Sequence, residues 1–116
     1  MTAYERGDIV LVPFPFSDQT TTKKRPAVIV TSNNYNNASL DIAIMAITSQ
    51  TEKTFGIGEC LIKNWKDAGL LKPSSIKPAI STIEQKLVLK KLGKLSHEDL
   101  LSMDNMLREL LDLGAK

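Results

Sequence analysis

Gly7-Asp8-Ile9-Val10-Leu11-Val12 and, after a polar interval, Lys23-Lys24-Arg25-Pro26-Ala27-Val28-Ile29-Val30 decide how this chain is read. Both carry Val/Ile-rich runs of the kind that suit a pleated, buried strand. The first strand is expected over Asp8 to Phe14, closed by Pro13 and Pro15, neither of which can donate to a ladder. The second is expected over Pro26 to Thr31, with proline at the first position, where no donor is needed. Between them Ser17 to Lys24 is wholly polar around Thr20-Thr21-Thr22 and reads as a long hairpin loop. A third run, Leu40 to Thr48, places Leu40, Ile42, Ile44 and Ala46 on one parity, which Thr48 continues.

The reading extends outward from these three strands. Ser32 to Asn37 is rich in asparagine and reads as a second loop. Phe55 to Ile62 reads as a fourth strand, with Gly56 and Gly58 allowing a bend or bulge. Lys63 to Ala68 is expected to form a helical turn ended by Gly69, with Trp65 packing it on the core. Pro73 and Pro78 bracket an extended stretch, and Ala79 to Glu84 supply a last strand. Ser96 to Leu113 is the clearest helix. Ser96 can cap it with Asp99 three residues on, Leu100, Met103, Leu107 and Leu110 recur at helical spacing, and Gly114 offers a stop. Many short strands followed by one helix predict an α+β fold, a small barrel with a C-terminal helix.

At 116 residues the chain is read as one domain over 1–116. A net charge of +2 is too small to imply a nucleic-acid partner by itself, but the charges are uneven. Lys23, Lys24 and Arg25 cluster, as do Lys86, Lys90, Lys91 and Lys94, whereas the C-terminal segment is mostly acidic. Cys60 is the sole cysteine, so neither an internal disulfide nor a CxxC zinc site is available. No metal and no cofactor are expected. No run of about 18 apolar residues and no signal-peptide pattern appear, so the expectation is a cytoplasmic protein with no membrane partner.

Arg25 begins one strand and Thr48 ends another, positions that can set a cation and a hydroxyl donor together on a barrel rim. Such a pair suits a phosphodiester. A guanidinium grips phosphate through two oxygens, and a hydroxyl donates one further hydrogen bond. Taken alone, each residue has a plainer reading, Arg25 as a cation at a loop end and Thr48 as a β-branched strand residue. His97 is the only histidine, which leaves no two-histidine mechanism within one chain, and it reads as a surface residue beside a helix start.

Four segments together are more specific. Gly7-Asp8-Ile9-Val10-Leu11-Val12, Lys24-Arg25-Pro26-Ala27-Val28-Ile29-Val30, Ala46-Ile47-Thr48-Ser49 and Lys90-Lys91-Leu92-Gly93-Lys94-Leu95, in that order, resemble the MazF/PemK family of bacterial toxins. The resemblance runs from about residue 5 to the end of the final helix. It implies an SH3-like barrel with a C-terminal helix, usually a homodimer. It implies a toxin of a type II toxin–antitoxin system, a metal-independent endoribonuclease that cuts single-stranded RNA, often mRNA. It also implies a cognate antitoxin whose disordered segment blocks the RNA groove.

On the matching motifs, the resemblance assigns catalysis to Arg25 and Thr48. Lys23, Lys24, Ser49 and Gln50, which flank that pair, are the expected RNA-binding residues, although the two lysines serve equally well as solvating charges. The chain departs from the family pattern where Ala79, Ser81 and Leu87 replace a glutamine and two arginines. Two other readings follow. One is a barrel toxin without catalysis that inhibits a protein such as DNA gyrase, disfavoured by the aromatic-free tail Leu113-Gly114-Ala115-Lys116. The other is a nucleic-acid-binding barrel that has lost catalysis.

Overall fold

The computed structural model describes residues 4–15, 22–49 and 60–114. Six strands form one antiparallel sheet: β1 (Asp8–Pro15), β2 (Thr22–Ile29), β3 (Asp41–Thr48), β4 (Cys60–Ile62), β5 (Ser74–Glu84) and β6 (Lys90–Lys94). A short helix, α1 (Asn33–Ala38), joins β2 to β3, and a long one, α2 (His97–Leu111), follows β6. The order across the sheet is β4-β5-β3-β2-β1-β6.

That order dictates the curl. Four strand spacings separate β5 from β6, about 19 Å in a flat sheet. Only residues 85–89 connect them, three in a 3₁₀ turn, Gln85–Leu87; such a link reaches roughly 16 Å. The sheet must therefore roll until its two sides approach, which gives the expected small barrel. Two backbone bonds pin the link: Gln85 N–H donates to Leu40 O and Leu89 N–H to Leu11 O, both at 2.8 Å.

Alternation along each strand builds two apolar layers. Val10, Val12, Ala27, Ile29, Ile42 and Ile44 line one face, with Ile83 and Val88 packed on them. Ile9, Val28, Met45, Ile47 and Ile76 line the other, against Met103, Met106 and Leu107 of α2. With both faces covered, the strands read as nearly continuous apolar runs rather than as alternating ones. Arg6 ties helix to sheet. Its Nε donates to Val30 O at 2.9 Å, and Nη2 lies 2.7 Å from Asp104 Oδ1.

Several expected boundaries move. β1 runs through Pro13 and ends at Pro15, one residue past the expected Phe14, pairing with β2 as far as Pro15–Thr22. β2 begins at Thr22, taking Lys23 and Lys24 out of the expected loop. Pro26 is tolerated inside it because the β2–β3 ladder reaches only to Ala27. The asparagine-rich loop holds α1 instead, capped by Ser32, whose Oγ accepts from Tyr35 N–H at 3.1 Å. β5 starts at Ser74, five residues before the expected Ala79, and β6 is a further strand that the sequence reading did not assign.

Of the expected strand over 55–62, only Cys60–Ile62 falls among the described residues, as β4. The helical turn after it ends as expected. Gly69 N–H donates to Lys66 O and Leu70 N–H to Trp65 O, a Schellman pattern with Gly69 at φ +87°. α2 is capped by Ser96 as expected, but it stops at Leu111, where Asp112 takes the left-handed conformation (φ 58°, ψ 49°) before Gly114 is reached.

Candidate active site

The β2–β3 register explains how two residues far apart in sequence come to one cavity. Ala27 pairs with Ala46, where the ladder stops, and Val28 with Met45; two steps beyond its end the same register would set Arg25 opposite Thr48. Opposed residues of an antiparallel pair share a face and sit close, with Cβ atoms about 4.5–5.5 Å apart. Both residues border a cavity of about 710 Å³ at this end of the barrel.

Lys23, Lys24 and Ser49 border the same cavity. Of the six residues singled out from sequence, five are thus gathered, and Gln50 lies outside the described residues. Arg25 and Thr48 are half-buried, while Lys23, Lys24 and Ser49 are exposed. His97 is exposed as the first residue of α2 and is not among the residues lining the cavity.

The structure adds residues that the sequence reading missed. Lys72 and Lys90 stand on the wall of the cavity, so its described lining carries Lys23, Lys24, Arg25, Lys72 and Lys90 and no acidic side chain. From sequence Lys90 is a member of the Lys86–Lys94 cluster. It comes to the cavity because β6 pairs with β1, Leu11 opposite Lys90. Lys72 follows the Gly69 turn, where no periodic pattern marks it. Such a field draws polyanions and strengthens every phosphate contact within it. Leu71, 93% exposed, adds an apolar surface at the same rim.

Close backbone packing shapes the cavity wall. A Cβ on Gly69 would lie 2.1 Å from Leu92 O, and one on Gly93 would lie 2.2 Å from Ala68 O. No other residue type permits these two segments to cross so tightly. Asp99 fixes the same region from below. Its buried carboxylate accepts from Lys63 N–H and Asn64 N–H, each at 2.9 Å, while its own N–H donates to Ser96 Oγ at 3.1 Å. The helix start thus makes one arm of the expected capping box, and the acidic arm holds the turn before Gly69 instead of the Ser96 backbone.

Cys60 is buried between these features. Burial first, and the Asp99 charge second, push its thiol up to about 11, which makes it an apolar filler rather than a nucleophile at neutral pH. Among the described residues no three of His, Cys, Asp and Glu converge on a point that could hold a metal ion. None of the described helices is long and apolar enough to cross a membrane.

Comparison with known proteins gives the arrangement its context. No curated protein sequence matches the chain. Among solved structures, a mycobacterial endoribonuclease in complex with its cognate antitoxin superposes with a TM-score of 0.77 at 16% identity, covering 100% of both chains. A MazE–MazF structure from Deinococcus radiodurans gives 0.75 at 16% identity, covering 96% of this chain and 98% of the other. The Mycobacterium tuberculosis toxin MazF-mt6 gives 0.69 at 17% identity, covering 91% and 99%. At such identities these likenesses establish the fold. The family model for the PemK-like, MazF-like toxin of type II toxin–antitoxin systems matches residues 5–111, nearly the whole chain, and the chain belongs to that family.

Proposed function

We propose that this toxin is a metal-independent endoribonuclease that cuts single-stranded RNA by attack of the 2′-OH on the adjacent phosphate. The observation that carries the reading is the cavity that both Arg25 and Thr48 border, walled by cations and free of carboxylates among its described lining. In the proposed reaction the O2′–P bond forms, the P–O5′ bond breaks and O5′ gains a proton. The products are a 2′,3′-cyclic phosphate and a 5′-OH end. Arg25 clamps the non-bridging oxygens and supplies a proton at the leaving oxygen. Thr48 donates a hydrogen bond to the same phosphate. A guanidinium, charged at any ordinary pH, cannot take the 2′-proton, and the Thr48 hydroxyl acts as a donor, so the base lies outside this pair.

Lys23, Lys24, Lys72 and Lys90 would track the flanking phosphates, and Ser49 and Gln50 would contact the strand beside Thr48. No aromatic side chain is in the described lining of the cavity. Bases are therefore read by hydrogen bonds to splayed edges, with Leu71 as an apolar rest. A cognate antitoxin, the proposed partner, would compete for this basic cavity with an acidic segment. A homodimer is proposed from apolar surface left open, with Leu101 and Leu111 of α2 each 50% exposed and Ile80 of β5 45% exposed. A cytoplasmic site of action follows from the RNA substrate.

The test is incubation of the purified chain with long single-stranded RNA in EDTA. The expected result is cleavage that persists in chelator, leaves cyclic phosphate ends and disappears in Arg25→Ala. RNA left intact at stoichiometric protein overturns the reading.

A further inference from the structure

We propose that Ser75 is a positioning residue for Thr48, a buried hydroxyl that donates to the Thr48 oxygen while Thr48 donates to the scissile phosphate. The inference rests on the ribonuclease reading above. Its starting point is the β3–β5 register, in which Thr48 pairs with Ser75. The two side chains therefore share one face of the sheet as cross-strand neighbours, the relation in which Thr–Ser hydrogen bonds form.

Ser75 is fully buried, and its hydroxyl has no hydrogen-bond partner. Buried hydroxyls are costly when unpaired, and natural structures keep few of them. Alanine would fill the site without that cost. Its neighbour Ser74 shows the ordinary solution, donating to Lys72 O at 2.9 Å. Ser75 has made no such bond, so its donor is held in reserve directly behind Thr48.

Thr48 lines the cavity and Ser75 does not, so Ser75 acts through its neighbour rather than on RNA. A threonine oxygen has two acceptor lone pairs, so it can accept from Ser75 whatever else it touches. Catalytic hydrogen bonds that are absent or long in a free enzyme commonly close only when the substrate is seated. The completed chain runs from the Ser75 O–H to the Thr48 oxygen, and from the Thr48 O–H to a phosphate oxygen. Each bond polarises the next and strengthens the final donor as charge builds on the phosphorane. No proton changes owner along it.

The test compares single-turnover cleavage of a single-stranded RNA oligonucleotide, taken from a wild-type cleavage site, by the full chain and by Ser75→Ala, Thr48→Ala and the double variant. Oligonucleotide affinity and thermal unfolding are measured in parallel. Ser75→Ala should slow the chemical step about 10-fold, the scale of one lost second-layer donor, with affinity unchanged. Its Tm should equal or exceed that of the wild type, since an unpaired hydroxyl has gone. In the Thr48→Ala background the same change should have no further effect. Ser75→Cys, which keeps a hydrogen on a larger atom and donates more weakly, should fall between wild type and Ser75→Ala.

A wild-type rate in Ser75→Ala, or a loss that persists undiminished without the Thr48 hydroxyl, overturns the inference alone. RNA left intact by the wild-type chain overturns the ribonuclease reading and the inference with it.

Discussion

At its Asp41 end, strand β3 meets a polar cluster with its hydrogen bonds made. Buried Asn36 donates through Nδ2 to Tyr4 O and Thr31 O at 3.1 Å, and its Oδ1 accepts from the Thr31 hydroxyl at 2.6 Å. Gln85 Nε2 closes the cluster by donating to Asn36 O and Ser39 O at 2.8 and 2.9 Å. At its Thr48 end, the same strand meets cations gathered without a carboxylate among the described lining, and a buried serine hydroxyl without a partner. One end satisfies its polar groups internally and so serves the fold. The other concentrates positive charge and one withheld donor, the Ser75 hydroxyl, an arrangement that costs stability and is retained where a ligand completes it.

The contrast can be broken from either side. The largest effect should come from Asp99→Ala, which strips the acceptor from two backbone N–H groups and weakens the start of α2. About 4 kcal/mol of stability should be lost, read by urea unfolding. If stability is unchanged, the clamp on the turn before Gly69 is not structural. Arg25→Ala should act in the opposite sense, slowing RNA cleavage about 10²–10³-fold, the scale of one preorganised donor, with a loss of stability well below that of Asp99→Ala. A large stability loss in that variant would place Arg25 with the structural end.

Next is a pH effect on Cys60. Its thiol is raised from 9.0 to about 11 in the folded chain, so the unfolded chain ionises first as pH rises. Stability is therefore full below pH 9 and falls between 9 and 11, by roughly 2–3 kcal/mol in total. Comparing urea midpoints across that window with those of Cys60→Ala checks it, since the variant should lack the Cys60 share of the decline. Asn36→Ala should cost about 2 kcal/mol and leave cleavage by the folded fraction untouched. Reduced cleavage per folded molecule would show that the two ends are coupled.

Much of this was legible from residue order. The Val/Ile runs at Ile9, Val28 and Ile42 announced strands because both faces of the sheet are covered, and Ser96 announced the start of α2 because its side chain is a local cap. Arg25 and Thr48 were singled out by their positions at strand ends, and the fold then brings both to the border of one cavity. Lys90-Lys91-Leu92-Gly93-Lys94 carried part of the family resemblance but was not legible as a strand, because mostly charged residues carry no strand signal of their own. Only pairing with β1 makes them a strand, and Gly93 matters because the Ala68 backbone passes over it. Ser75 was equally invisible, since an unpaired hydroxyl exists only once neighbours have enclosed it. α1 was missed because asparagine's turn preference was followed, while the cap from Ser32 and the buried amide of Asn36 prevail.

The short link over residues 85–89 has a consequence for how the molecule comes into being. It delivers β6 to β1, so that Asp8, near the beginning of the chain, finds its last strand partner in Lys94. Contacts of such long sequence separation form late, because most of the loop must be closed before they are gained. β1 therefore acquires its outer neighbour, and Lys90 reaches the cavity, only once residues 90–94 have left the ribosome. A toxin assembled in this way has no finished basic cavity until that last strand docks, and a chain that has not yet placed Lys90 carries only part of the cation wall.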